Sequence, residues 1–151
     1  MTDNNTPFNI KNKTMGNIKN KTMDKILSQL SFNDKGLVAA IAQQASTGDV
    51  LMMAWMNADA VRETLATGRV CYYSRSRSAL WRKGEKSGQI QKLLDFRWDC
   101  DGDTILLQVD QTGVACHTGR ENCFFRALRN NDIKVIADVK ISPDELYAAK
   151  D

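Results

Sequence analysis

The sequence predicts an α+β domain, mainly antiparallel β with a few short helices. Its apolar residues fall in runs of strand length, among them LVAAIA, VLMMAWM, VCYYS, LLDFRW and TILLQV. Two of these runs flank Ser46-Thr47-Gly48-Asp49, the turn chemistry of a hairpin. Helix-start chemistry stands at Asn57 and at Ser142. A chain of 151 residues suits one domain with its own core.

In chain order, residues 9–15 read NIKNKTM and residues 17–23 repeat that sequence. Asn, Lys and Thr dominate there and leave little to bury, so residues 1–24 are expected to form a disordered basic tail and residues 25–151 the folded domain. The hairpin LVAAIA/VLMMAWM comes first. Asn57 then caps a short helix in which Val61 and Leu65 lie one turn apart, with Gly68 just past its end. VCYYS and LLDFRW follow as strands, and TILLQV comes after the Asp101-Gly102 turn signal. Near the C-terminus, Ser142-Pro143-Asp144-Glu145 combines an N-cap, a proline at the first helical position and a capping-box glutamate.

The formal charge of +3 resides in the first 25 residues, where five lysines face Asp3 and Asp24. The remaining chain is neutral, which argues against nucleic acid as a partner. The longest apolar runs fall far short of a membrane span, and the polar start lacks the apolar core of a secretory signal, so the expectation is a cytoplasmic protein with no membrane partner. In a reducing compartment four cysteines read as thiols or metal ligands rather than a disulfide framework.

Asp99-Cys100-Asp101-Gly102-Asp103 alternates three carboxylates with a thiol and a glycine. Were it extended, the aspartates would share one side and Cys100 would face the other, hard oxygens suiting magnesium and a soft thiolate zinc. A solvated acidic turn is the plain alternative. Cys116 and Cys123 stand in no CxxC knuckle, yet with Cys100 they could hold zinc and leave its fourth position open to water. Cys71, in an apolar run, reads as a buried small hydrophobe. His117 is the single histidine and follows Cys116, which makes it a fourth ligand or a general base, the base being preferred. The segment YSRSRSALWRKGEKSG supplies Arg75, Ser76, Arg77, Trp81, Lys83, Gly84, Glu85 and Ser87, readable either as a solvated basic loop or as a phosphate cradle whose tryptophan stacks on a base.

YSRSRSALWRKGEKSG, RWDCDGDT, ACHTG and NCFF, in that order, resemble the phosphoribosyl-AMP cyclohydrolase family of histidine biosynthesis. The resemblance spans residues 32–128. It implies an intertwined homodimer, magnesium on Asp99, Asp101 and Asp103, and zinc on Cys100, Cys116 and Cys123 shared across the interface. It further implies His117 in proton transfer and the basic segment on a small nucleotide substrate, with zinc-activated water opening the adenine ring between N1 and C6. Gln89 departs from the family's pattern, in which histidine or asparagine often follows the Ser-Gly pair. A zinc nucleobase deaminase is the nearest enzymatic alternative, but its H-x-E and P-C-x-x-C signature is missing. A non-catalytic zinc module binding RNA or protein is the alternative of another class.

Overall fold

The structure, a computed structural model, describes residues 15–148. Its elements run α1 (Asn20–Gln29), β1 (Val38–Gln44), β2 (Val50–Met56), α2 (Ala58–Thr67), β3 (Cys71–Ser74), β4 (Ala79–Arg82), β5 (Gln91–Trp98), β6 (Thr104–Gln111), β7 (Arg126–Arg129), β8 (Asp132–Val135) and α3 (Pro143–Leu146). The expected α+β class holds. β1 and β2 form the expected hairpin, with Ile41 opposite Met53 and a bulge between Ala42 and Gln43.

Six strands form one sheet in the order β4-β3-β2-β1-β6-β5, antiparallel except where β1 lies parallel to β6. The sheet curls. Val70 N–H donates to the Gln91 carbonyl at 3.0 Å and Leu93 N–H to the Gly68 carbonyl at 2.8 Å, drawing edge strand β5 toward the segment that enters β3. Tyr72, Met56, Leu93, Ile105 and Leu107 are buried in the resulting core. Asn57 accepts the Ala60 N–H at 2.8 Å to start α2, and Gly68, at φ 75°, ends it in the left-handed conformation. Ser142 caps α3 by accepting the Glu145 N–H, and Leu146 fastens that helix to the body. Among the described residues no helix is long and apolar enough to cross a membrane.

Three features differ from the expectation. The packed chain begins earlier than residue 25, because α1 starts at Asn20 and Met23 is buried among Leu30 and its neighbours; residues 1–14 of the expected tail lie outside the described residues. Burying one such side chain contributes about 1.5–3 kcal/mol, enough to hold a short segment onto the body. The basic segment is not one loop: Ala79–Arg82 pair with β3 as an edge strand. Finally, β7 and β8 form a separate hairpin turned by Asn130 and Asn131, both at positive φ. Its apolar side chains face outward, Leu128 and Ile133 being 75% and 76% exposed.

Candidate active site

Asp99, Asp101 and Asp103 each offer a carboxylate oxygen within 4.8 Å of the others. They meet because residues 99–103 make the turn between β5 and β6, not the extended run considered from the sequence. Asp99 accepts the backbone N–H groups of Asp103 at 3.1 Å and Thr104 at 3.3 Å. Gly102 stands at φ 75°, and a Cβ there would strike the Gln29 carbonyl, so the close approach of α1 requires glycine. Ser31 fastens the same turn, its N–H donating to the Gly102 carbonyl at 2.8 Å and its hydroxyl to that of Asp101 at 3.1 Å.

The three carboxylates perturb one another. Partial desolvation works against the charge of Asp99, but hydrogen bonding from Asp103, the Thr104 N–H and Asp101 outweighs it and holds that carboxyl below its ordinary range. Asp103 is raised by its hydrogen bonds to Asp99 and then Asp101. A proton shared within the triad relieves the repulsion, and a bound divalent cation would relieve it more completely.

Cys116 and Cys123 meet elsewhere. A tight turn carries Cys116, with Gly119 N–H donating to its carbonyl, and the Thr118 hydroxyl donates to its Sγ at 3.0 Å. Cys123 is brought alongside by its N–H on the Leu51 carbonyl at 2.8 Å. Packing around the thiol, and then the adjoining Cys116, raise the Cys123 pKa even though the residue as a whole is exposed. Two adjoining thiols are suited to a soft cation that would take both as thiolates. His117, the exposed residue of that turn, follows the buried Cys116 directly.

Cys100 does not join them. It sits in the aspartate turn at one end of β6, while the segment leading to Cys116 leaves the other end, and an eight-residue strand spans roughly 25 Å. Among the described residues the aspartate triad is the one group of three potential ligands within bonding reach of a common ion. Cys71 lies apart from both sites, buried, and burial followed by the neighbouring Glu63 pushes its thiol up to about 12.

The segment proposed for substrate is divided by β4 into two clefts. Arg77, Trp81, Lys83, Gly84, Glu85 and Ser87 line one of about 220 Å³, joined by Lys86 and Tyr147. Arg75, Ser76 and Trp81 line a shallower one with Lys35, Trp55 and Tyr73. Trp81 borders both. Arg75 lies over the Trp55 ring at 5.2 Å. Lys83, one of the residues expected to bind substrate, lines the cleft but is buried, and its Nζ donates to the Ala115 carbonyl at 2.8 Å. Burial lowers its pKa, while nearby Cys123 and Cys116 pull the other way.

Sequence reasoning missed Tyr147 and Trp55, which reach the clefts from other elements. It also missed a set of buried glutamines. Gln91 is fully buried, accepts the Tyr72 hydroxyl at 2.7 Å and donates to Gln111 at 2.8 Å. A glutamine opening a strand-like run carries no mark of this, although its spacing of two from the buried Leu93 put it on the inward face.

An α+β domain with a carboxylate triad, a thiol pair and a basic, tryptophan-lined cleft is a frame suited to a hydrolase. The sequence profile of phosphoribosyl-AMP cyclohydrolase matches residues 52–125. The phosphoribosyl-AMP cyclohydrolase of Paramagnetospirillum magneticum is 67% identical over 122 residues, covering 81% of this chain and 92% of its own. That of Rhodospirillum centenum is 61% identical, over 82% of this chain and 93% of its own, and that of Halorhodospira halophila 58% identical, over 91% and 96%. The chain belongs to the phosphoribosyl-AMP cyclohydrolase family, a family of hydrolases.

Proposed function

We propose that this chain hydrolyses the N1–C6 bond of the adenine ring of phosphoribosyl-AMP, a step of histidine biosynthesis, in the cytoplasm and as a homodimer with two composite sites. The observation that carries the reading is the distribution of the three thiols. Cys116 and Cys123 adjoin in one chain, while Cys100 lies at the far end of β6. A symmetric partner can bring its own Cys100 to the first chain's pair, and a two-fold axis then makes two such sites.

Two further features favour a second copy. The β7–β8 hairpin projects Leu128, Ile133 and Val135 into solvent, and an isolated two-stranded hairpin is marginal in water. The 220 Å³ cleft is also smaller than the roughly 300–1,000 Å³ of ordinary small-molecule sites, so a neighbouring wall would help enclose a substrate with two phosphoribosyl groups.

The donor set fits the expected metals: thiols for zinc, with a fourth position left for water, and carboxylates for magnesium. When bound, zinc supplies electrophilic activation of water. The residues of the chain do the rest. Arg77 and Lys86 hold phosphate charge at the rim of the cleft and Trp81 offers a face on which the base stacks. Asp99, Asp101 and Asp103 would hold magnesium, whose positive charge would be available to a phosphate brought alongside. His117 takes a proton from the attacking water and returns it to N1 as the C6–N1 bond breaks. The second proton of the water passes to the exocyclic imino nitrogen, which stays as the carboxamide NH2, and the water oxygen remains on C6 as the carbonyl.

The test is the metal content of the purified protein measured alongside the absorbance change on phosphoribosyl-AMP. About one zinc per chain and turnover that is lost on chelation and regained with zinc are expected. Full turnover in protein stripped of zinc would remove the metal from the proposal.

A further inference from the structure

Two stretches distant in sequence meet behind the thiol pair. One is 83–91, leading from the basic cleft into β5; the other is 111–116, leading from β6 to Cys116. Side chains of the first grip the backbone of the second. The Gln89 Oε1 accepts the Val114 N–H at 3.0 Å, and Lys83 donates to the carbonyl of the following residue, Ala115, at 2.8 Å. Gln111 closes the third side, its Nε2 donating to the carbonyls of Gln89 at 3.1 Å and Thr112 at 2.7 Å. Val114, Ala115 and Cys116 are all buried, so these bonds are not readily replaced by water.

The contact at Gln89 is fitted on both sides. Gly113 stands at φ 61°, and the Gln89 amide occupies the space that a Cβ at Gly113 would need. At its other end Gln89 is tied to the cleft: its N–H donates to the Ser87 hydroxyl at 3.2 Å and its Nε2 to the Ser87 carbonyl at 3.3 Å. Ser87 lines the cleft. One side chain thus joins a residue lining the cleft to Val114, two residues before Cys116 and three before His117.

We infer that Gln89 is a positioning residue, tying the nucleotide-binding cleft to the Cys116–His117 turn so that the groups meeting substrate and those performing the chemistry keep one geometry. The inference rests on the roles proposed above for Cys116 and His117; the tie itself does not. Removing the acceptor leaves a buried N–H without its bond, and outer partners that orient metal ligands typically cost about 10- to 100-fold in metal affinity or activity when lost.

The test compares Gln89→Met, which keeps length without a strong acceptor, with Gln89→Glu, which keeps an acceptor at the same reach. Three quantities are read in the full-length protein: hydrogen exchange at the Val114 amide, the rate of zinc release to a chromophoric chelator, and kcat and KM on phosphoribosyl-AMP. Gln89→Met is expected to speed Val114 exchange, to speed zinc release and to lower kcat, the last two by about 10-fold or more, with a smaller change in KM. Gln89→Glu, which keeps the acceptor for the Val114 N–H but loses the Nε2 donor to the Ser87 carbonyl, should restore slow Val114 exchange and recover zinc retention and kcat in part. If the Met variant is insoluble, Gln89→Asn, which falls one methylene short, carries the same expectation. Unchanged Val114 exchange overturns the tie, and faster exchange with unchanged zinc release and kcat overturns its positioning role. A Glu variant as defective as the Met variant overturns the acceptor as its basis. Should the wild-type protein neither hold zinc nor turn over phosphoribosyl-AMP, the proposed function fails, and Val114 exchange alone then decides the tie.

Discussion

Mixing a Cys100→Ser chain with a Cys123→Ser chain should generate activity that neither has alone. In the proposed dimer each composite site would draw Cys100 from one protomer and Cys116 with Cys123 from the other. In a mixed dimer, the site built from the Cys100 of the Cys123→Ser chain and the pair of the Cys100→Ser chain regains all three thiols. The second site of that dimer loses two. Random exchange makes half the dimers mixed, so about a quarter of the wild-type sites, and of the wild-type rate, should return. Were all three thiols supplied by one chain, every site in the mixture would stay defective. The roughly 25 Å length of β6 between the two thiol locations makes the single-chain arrangement unfavourable. The assay is the initial rate on phosphoribosyl-AMP after subunit exchange verified by native mass spectrometry. Cys71→Ser serves as the control and should keep its zinc, since that thiol stands apart from both sites. No recovery in a verified mixture would refute the shared site.

His117→Asn should keep zinc and the dimer while turnover falls by about 10²- to 10⁴-fold, the usual cost of losing a positioned general acid or base; loss of zinc, read by atomic absorption, would move His117 into the metal shell. Leu128→Asp combined with Ile133→Asp should convert the dimer to monomer in light scattering and abolish turnover, because both side chains lie exposed on the β7–β8 hairpin; a dimer that persists would place the interface elsewhere. Glu63→Gln should reduce stability at neutral pH, since the Arg82 hydrogen bond holds the Glu63 carboxyl below its ordinary value of 4.5. A carboxyl lowered in the folded state contributes stability present above the unfolded value and lost as pH falls through the folded one. The denaturation midpoints of variant and wild type should therefore converge at acid pH, and a gap that widens there would contradict the ion pair as its source.

Elements whose signals are local were legible in the sequence. Asn57, Gly68 and Ser142 act through residues within one helical turn, and Ser46-Thr47-Gly48-Asp49 reverses the chain between two strands that pair with each other. β4 was not legible, because an edge strand with exposed Ala79 and Arg82 leaves no apolar run to detect. β7 and β8 escaped for a related reason: their apolar side chains face away from the body of the chain, so no periodicity ties them to its core. Of the site, the residue types and their grouping into motifs were readable, whereas the aspartates converge through a turn rather than through strand alternation. Lys83 and Gln89 were unreadable in role, since each acts on backbone groups more than twenty residues away.

The reaction itself is tested most directly by the fate of nitrogen. Incubating the zinc-loaded protein with phosphoribosyl-AMP, and following product mass together with free ammonia, separates ring opening from deamination. Cleavage between N1 and C6 adds one water and keeps every nitrogen, so the product should gain the mass of water with no ammonia released. Release of ammonia in step with substrate loss would mean that the exocyclic nitrogen departs instead, and would contradict the proposed hydrolysis.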